Sequence, residues 1–160
     1  METELAPDAA LAESCAQIVD ELFATMLGMQ ARPIAEPHSL SEEMITSAIY
    51  FTGSFSGALV FECVRTQAWS FATAFMGLQR EELSEADVLD TIGEIANIIG
   101  GNLKHCLPHG SSITTPSVIV GRSYRLTVGG ATVVARLAFT AEDDPFFVTI
   151  LRTENGAPSL

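Results

Sequence analysis

Three polar side chains in the middle of the chain stand at helical spacing and could act together on a reacting group. Asp90, Glu94 and Asn97 are separated by four and then three residues, which stacks them on successive turns of one helix face. The amide of Asn97 offers both a donor and an acceptor, so it could hold a water molecule in a fixed orientation. A carboxylate one turn earlier could pair with a cation on a docking partner. This combination suits phosphoryl hydrolysis, in which positioning and electrostatics supply most of the rate.

One amphipathic helix, over residues 84–106, is predicted to carry these side chains. Ser84 followed by Asp87 is a capping-box-like start, with the carboxylate near the positive helix end. The opposite face is an apolar stripe at helical spacing, made of Val88, Ile92, Ile95, Ile99 and Leu103. Gly100 and Gly101 each cost the helix up to ~1 kcal/mol relative to Ala, which indicates that another body comes close there.

The same pattern has a simpler interpretation, a solvated polar face of the kind that most exposed helices have. A metal site is a second alternative, because His105, Cys106 and His109 cluster near the predicted helix end. Zinc needs four ligands and no second pair is apparent in the sequence, so no metal site is predicted. Asn102 falls near the apolar side of the helix, where a buried amide must find partners, and we interpret it as structural.

The composition predicts an acidic, soluble protein. The chain has 160 residues, 48% of them apolar, and a formal net charge of −12, so it can bury a sizeable core but lacks the basic footprint of a nucleic-acid-binding protein. No apolar run is long enough for a membrane helix, and the N-terminus has no secretory signal. The odd and widely spaced Cys15, Cys63 and Cys106 suit free thiols in a reducing cytosol. We therefore expect a cytoplasmic protein with no nucleic-acid or membrane partner.

An α+β fold is predicted from the order of the elements. Asp8 begins a helix with an apolar, core-facing side that holds Leu11, Cys15, Ile18, Leu22 and Met26 and is widened by Val19 and Phe23. The other elements follow in chain order: a hairpin (44–51 and 58–64), a helix (66–77), the helix described above and strands at 113–120, 132–139 and 146–152, with a further short strand at 122–128. Residues 8–153 would form a single domain, with a mostly antiparallel sheet and helices on one face. Residues 1–7 would be a disordered N-terminus, and 154–160 a C-terminal tail.

The stretch DTIGEIANIIGGN (90–102), with TPSVIVG (115–121) downstream, resembles the CheC/CheX/FliY family of chemotaxis response-regulator phosphatases. Members carry Asp or Ser, then Glu, then Asn at these spacings on an exposed helix, and a proline further along. The three residues named first match that signature, and Pro116 stands where the proline would be. Because the chain holds one copy of the signature rather than two, it looks closest to the CheX branch.

The resemblance implies a CheC-like fold and a phosphatase that accelerates hydrolysis of the aspartyl phosphate on a CheY-like receiver domain. In the family the helix inserts its amide beside the phosphate, so Asn97 would orient the attacking water and Glu94 would engage the receiver's lysine. Asp90, Gly101 and Lys104 would contact the partner. The required Mg²⁺ belongs to the receiver, so no cofactor of the protein's own is expected.

Two further expectations concern partners. A non-enzymatic interaction module on the same fold is the alternative function, in which the exposed helix only recognises a signalling or flagellar-switch partner. A homodimer is expected from the apolar composition and from the CheX branch. A sheet edge is the natural interface, because unpaired strands invite partners.

Overall fold

The computed structural model describes residues 7–37, 42–121 and 130–153, which form three α-helices and seven β-strands. The helices are α1 (Pro7–Leu22), α2 (Arg65–Met76) and α3 (Glu85–Leu103). The strands are β1 (Arg32–Pro33), β2 (Met44–Gly53), β3 (Gly57–Val64), β4 (Ser111–Ile113), β5 (Ser117–Gly121), β6 (Ala131–Ala141) and β7 (Asp144–Thr153). The strand predicted at 122–128, the tail at 154–160 and the N-terminal stretch before Pro7 lie outside the described residues. Within those ranges, none of the helices is both long enough and apolar enough to cross a bilayer.

The strands form one sheet in which all described neighbours run antiparallel. Its order is β1-β6-β7-β3-β2, and both β4 and β5 pair with β2 at the far edge. Successive side chains of a strand point to opposite faces, so alternate positions of the central strands face the helices. These positions are buried: Ile45, Ile49, Phe51, Leu59, Phe61, Phe146, Val148 and Ile150. The predicted α+β fold, a mostly antiparallel sheet with helices on one face, is confirmed.

Helix α3 begins at the capping box that the sequence predicts. The Ser84 hydroxyl accepts a hydrogen bond from the Asp87 backbone amide at 3.2 Å, and the Asp87 carboxylate accepts one from the Ser84 amide at 2.9 Å. The apolar stripe is buried along its whole length: Val88, Ile92, Ile95, Ile99 and Leu103. A 3₁₀ turn from Lys104 to Cys106 replaces the last residues of the predicted helix.

Two glycines let α3 lie close against the sheet. A Cβ atom on Gly100 would overlap Cδ1 of Ile49 in β2 and lie 3.0 Å from its Cγ1. A Cβ atom on Gly93 would lie 3.2 Å from Cγ2 of Val118 and 3.6 Å from Cγ of Pro116. The overlap at Gly100 is not possible for packed atoms, the 3.2 Å contact at Gly93 is tight, and the 3.6 Å contact is ordinary. The missing side chain at Gly100 therefore lets the helix approach β2 closely, and the one at Gly93 eases its packing on β5.

The two adjacent glycines have different surroundings. Gly100 is buried, and the body that comes close to it is the chain's own Ile49. Gly101 is half-buried, and a Cβ atom there would meet only Cδ1 of Ile113, at an ordinary 4.0 Å. Its predicted role in partner binding stays a prediction.

The edge strand predicted at 113–120 is interrupted. Phe51 of β2 pairs with Ile113, and Ala48 pairs with Ser117. The edge therefore has one more residue than β2 over this interval, and it forms a bulge between β4 and β5. At this point the Thr114 amide donates to the Tyr50 carbonyl at 2.9 Å, and the Thr114 hydroxyl accepts from the Tyr50 amide at 3.1 Å. Pro116 has no N–H to donate, so a regular strand cannot continue through it.

Helix α1 does not stay regular up to the glycine that closes it. Its last regular residue is Leu22, and Phe23–Leu27 form a π-helical turn that closes at Gly28, whose φ is +63°. Each residue of this wider turn advances less around the helix axis. Met26, which the 3.6-residue period assigns to the buried face, is therefore 44% exposed, whereas Phe23 and Leu27 are buried. The prediction that Met26 belongs to the core is wrong for this reason.

The three cysteines are free thiols, as predicted. Cys15 and Cys63 are buried, and Cys106 is exposed. Burial raises the pKa of both buried thiols, that of Cys15 to about 12, with a smaller contribution from Cys106. The two buried thiols are therefore protonated and unreactive at neutral pH.

The adjacent glycines give a matched test of the helix–sheet contact. We expect Gly101→Ala to raise the free energy of unfolding by about 0.5–1 kcal/mol, because Ala is the better helix former. Gly100→Ala gains the same helix propensity but inserts a methyl group into the packed core, which costs roughly 1–3 kcal/mol. In equilibrium unfolding with urea, the free energy of unfolding of Gly100→Ala should therefore be about 2 kcal/mol lower than that of Gly101→Ala.

The partner strand supplies the control. Ile49→Val removes the Cδ1 atom that the new methyl group would overlap. In that background the difference between the two alanine variants should shrink. Equal stability of the two variants in the wild-type background, or a difference that Ile49→Val leaves unchanged, would contradict the contact.

Candidate functional site

The structure brings Asp90, Glu94 and Asn97 together on one face of α3, opposite the buried stripe. At a rise of about 1.5 Å per residue they span roughly 10 Å along the helix axis. Asp90 and Glu94 are exposed, as predicted, whereas Asn97 is half-buried rather than fully exposed. On the turns next to it, Gly93 lies against Pro116 and Val118 at the edge of the sheet, and Gly100 lies against Ile49 of β2, so this side of the helix is close to the sheet. We call these three residues the exposed face of α3.

These three side chains differ from the other polar residues of the helix. Glu85 pairs with Arg65, Asp87 caps the helix, and Thr91 and Asn102 donate to backbone carbonyl oxygens one turn earlier. By contrast, the side chains of the exposed face form no hydrogen bond or ion pair with any residue that the structure describes. Their donors and acceptors are therefore available to a partner.

The amide of Asn102 has a structural role, as interpreted from the sequence, but its environment is different. It is exposed rather than buried, and its Nδ2 donates to the Ile98 carbonyl at 2.8 Å. The hydrogen-bond partner of the Asn102 amide is therefore the helix backbone, which the sequence alone did not identify.

Two structural features border the exposed face of α3. On one side is the bulge between β4 and β5, where Pro116 approaches Gly93, the residue that precedes Glu94. On the other side a groove separates α3 from α1 and the π-helical turn, with Ile98 on its α3 wall. The proline that the signature includes thus lies beside the helix, although it is distant in sequence. The groove has no signal in the sequence, because Met26 on its rim is predicted to be buried.

The remaining predicted contact residues lie toward the end of the helix. Gly101 is one turn beyond Asn97, and Lys104 is exposed at the start of the 3₁₀ turn. Both continue the exposed face of α3 by helical spacing. Lys104 has no ion-pair partner in the described part of the chain. The roles of Asp90, Gly101 and Lys104 in binding stay predictions.

No metal centre forms near these residues. Across residues 7–37, 42–121 and 130–153, no three His, Cys, Asp or Glu side chains are grouped so that they could hold a metal ion. The sequence cluster of His105, Cys106 and His109 belongs to the exposed turn and loop after α3. What the described residues of this site offer is an amide, two carboxylates and access from solvent, which can position groups of a partner.

Comparison with solved structures shows the same fold in CheX proteins. A chemotaxis protein CheX from Vibrio vulnificus has a TM-score of 0.74 at 19% identity, over 92% of this chain and 98% of that one. A CheX from Desulfovibrio desulfuricans has a TM-score of 0.72 at 21% identity, over 89% and 99%. A complex of CheX, CheY, BeF3 and Mg²⁺ from Borrelia burgdorferi gives 0.70 at 18% identity, over 89% and 97%.

Comparison at the level of sequence identifies the family. A search of curated proteins gives no match. The family model described as chemotaxis phosphatase CheX matches residues 45–140, which is more than half of the chain and includes the exposed face of α3 and Pro116. The chain therefore belongs to the CheX family of chemotaxis phosphatases.

Proposed function

We propose that the protein is a phosphatase that accelerates hydrolysis of the aspartyl phosphate on a CheY-like receiver domain. The observation that carries the proposal is that the three unpartnered polar side chains of α3 are those of the family signature. The family's description supports the activity. The Borrelia complex, in which BeF3 stands in for a phosphoryl group, supports the class of partner.

Asn97 would act on the attacking water. Its amide oxygen accepts a hydrogen bond from the water and holds the water oxygen in line with the bond to be broken. The water oxygen then bonds to phosphorus as the bond from phosphorus to the aspartate oxygen breaks. The aspartate leaves as a carboxylate, and the protons of the water leave with inorganic phosphate. The amide transfers no proton, so its contribution is position alone, which α3 provides because its opposite face is buried in the core.

Glu94 would dock the receiver. Its exposed carboxylate, one turn before Asn97, can pair with the ammonium group of a receiver lysine near the phosphate. Asp90, Gly101 and Lys104 would add contacts along the same face. The Mg²⁺ that neutralises charge on the phosphoryl group would come with the receiver. The reaction would take place in the cytoplasm, and the free thiols of the chain are in keeping with that location.

We also propose that two copies pair through the outer edge of β6. In the described part of the chain this edge pairs only with β1, at Phe139 and Thr140, so its N-terminal half has open backbone groups. Val133 in that half is 58% exposed, and Ile34 beside the same edge is 37% exposed. An open edge with apolar side chains favours strand pairing between copies. The exposed face of α3, which lies near the opposite edge of the sheet beside β5, would stay free in such a dimer.

Asn97→Ala tests the catalytic role. We expect it to lower the acceleration of receiver dephosphorylation by at least about 100-fold, the loss typical when one positioned hydrogen-bonding group is removed from an active site. Affinity for the beryllofluoride-activated receiver should change little. The measurements are the decay of a ³²P-labelled receiver with Mg²⁺ present and a binding titration. Full acceleration by Asn97→Ala would rule out the role, and binding by the wild type without any acceleration would favour the interaction module.

Glu94→Ala tests the docking role in the same two assays. We expect it to weaken binding of the activated receiver, because the receiver's lysine loses its partner, and to reduce acceleration accordingly. Glu81→Ala is the matched control, since Glu81 is also exposed but lies in the turn before α3. Neither change should alter the melting temperature much, because both carboxylates are on the surface. Equal losses in the two variants would argue against a specific contact at Glu94.

The dimer is tested by a charge on the open edge. Val133→Lys should convert the dimer to a monomer in sedimentation equilibrium, because a charge on an edge strand opposes pairing. Ile119→Lys is the control, since Ile119 is 38% exposed on β5, at the opposite edge. A wild-type mass that is monomeric at every concentration, or dissociation by Ile119→Lys alone, would contradict the interface.

A further inference from the structure

The groove between α1 and α3 has an aliphatic lining. Ile18 and Leu22 of α1, Ile98 of α3 and Met26 of the π-helical turn contribute apolar surface to a cavity of about 320 Å³. Met26 is one of the few large apolar side chains that the structure leaves exposed. The π-helical turn is the cause, because it turns Met26 away from the core while anchoring its neighbours there. Such turns occur often at functional sites.

The polar groups that the groove offers to a partner are mainly hydrogen-bond acceptors. Thr25 donates its hydroxyl to the Glu21 carbonyl at 2.7 Å, and Asn102 donates its amide to the Ile98 carbonyl at 2.8 Å. The Thr25 donor and one of the two N–H donors of Asn102 are therefore occupied locally. The carboxylate of Glu21 and the amide oxygen of Asn102 remain as acceptors, and no cationic side chain lines the described groove. A complementary surface would present an apolar side chain beside a lysine or arginine.

The groove is continuous with the exposed face of α3. Ile98 follows Asn97 in sequence and lies one turn beyond Glu94, about 6 Å along the helix axis. Asn102 lies one further turn along the same side. A folded domain that brings a phosphoryl group to Asn97 is several times wider than this separation. Such a domain is therefore wide enough to reach the groove while it contacts Asn97.

We propose that the α1–α3 groove is a second docking subsite, which takes an apolar side chain and an adjacent lysine or arginine from the surface of the phosphorylated receiver. The inference rests on the proposed function and adds a determinant of receiver choice to it. Asn97 and Glu94 meet the phosphorylation site, which receivers share. The groove meets a surface farther from the phosphate, where receivers differ. Binding here contributes to affinity in the ground state, so it acts on KM rather than on kcat.

The test uses the intact protein and a panel of beryllofluoride-activated CheY-like receivers. For the receiver that binds best, Met26→Ala should raise Kd by about tenfold, the effect of losing one well-packed apolar contact. KM for the phosphorylated receiver should rise by a similar factor, and kcat should stay at the wild-type value. Met26→Leu, which keeps apolar volume, should restore most of the affinity. Glu21→Lys should weaken binding further and reverse its dependence on salt.

Met76 supplies the matched control. It is 42% exposed on α2 against 44% for Met26, and it does not line the groove. Met76→Ala should leave Kd and KM within about twofold of the wild type. An unchanged Kd for Met26→Ala, an equal loss for Met76→Ala, or a fall in kcat alone would overturn the groove as a docking subsite.

The same measurements separate this inference from the proposed function. A receiver that binds in a Met26-dependent manner, but is not dephosphorylated faster, would support the groove and overturn the phosphatase. Acceleration that requires Asn97 but is insensitive to Met26→Ala and Glu21→Lys would support the phosphatase and overturn the groove.

Discussion

The contact between Gly100 and Ile49 determines where the exposed face of α3 can stand. A side chain at position 100 would push the helix away from β2, and the residues one turn to either side would move with it. The buried apolar stripe fixes the rotation of the helix about its axis, and the capping box fixes the residue at which it starts. The position of α3, its rotation and its first residue together determine where each outward-facing residue lies. The backbone positions of Asp90, Glu94 and Asn97 are thus fixed without hydrogen bonds from their own side chains.

Because core packing holds the backbone of α3, the polar side chains on its outer face can stay without partners in the protein. In the described part of the chain, three arginines form internal ion pairs: Arg65 pairs with Glu43 and Glu85, Arg136 with Glu36 and Glu62, and Arg152 with Asp8. None of these arginines neutralises Asp90 or Glu94. An acidic surface next to a fixed amide attracts a cationic partner surface and repels small phosphate esters. The charge distribution therefore favours a protein substrate that brings its own cations.

Residue patterns within α3 were enough to predict the features that depend on that helix alone. The spacing of Ile92, Ile95 and Ile99 gives the buried stripe, and the pairing of Ser84 with Asp87 gives the helix start. What could not be predicted depends on distant contacts or on a change of helical period. The neighbour of Gly100 is a strand about 50 residues away in sequence, and Met26 is exposed only because the turn before Gly28 is π-helical. The family resemblance pointed to Pro116, but only the fold places it beside α3.

The bulge between β4 and β5 allows the shape of the surface to change without loss of sheet stability. The ladder with β2 resumes on both sides of it, and Thr114 provides hydrogen bonds on the way. Residues can be inserted or exchanged at such a point without disturbing the paired strands, because the backbone there is already out of register. Related chains could therefore diverge in this one short stretch and acquire different recognition properties while they keep α3 on an unaltered scaffold.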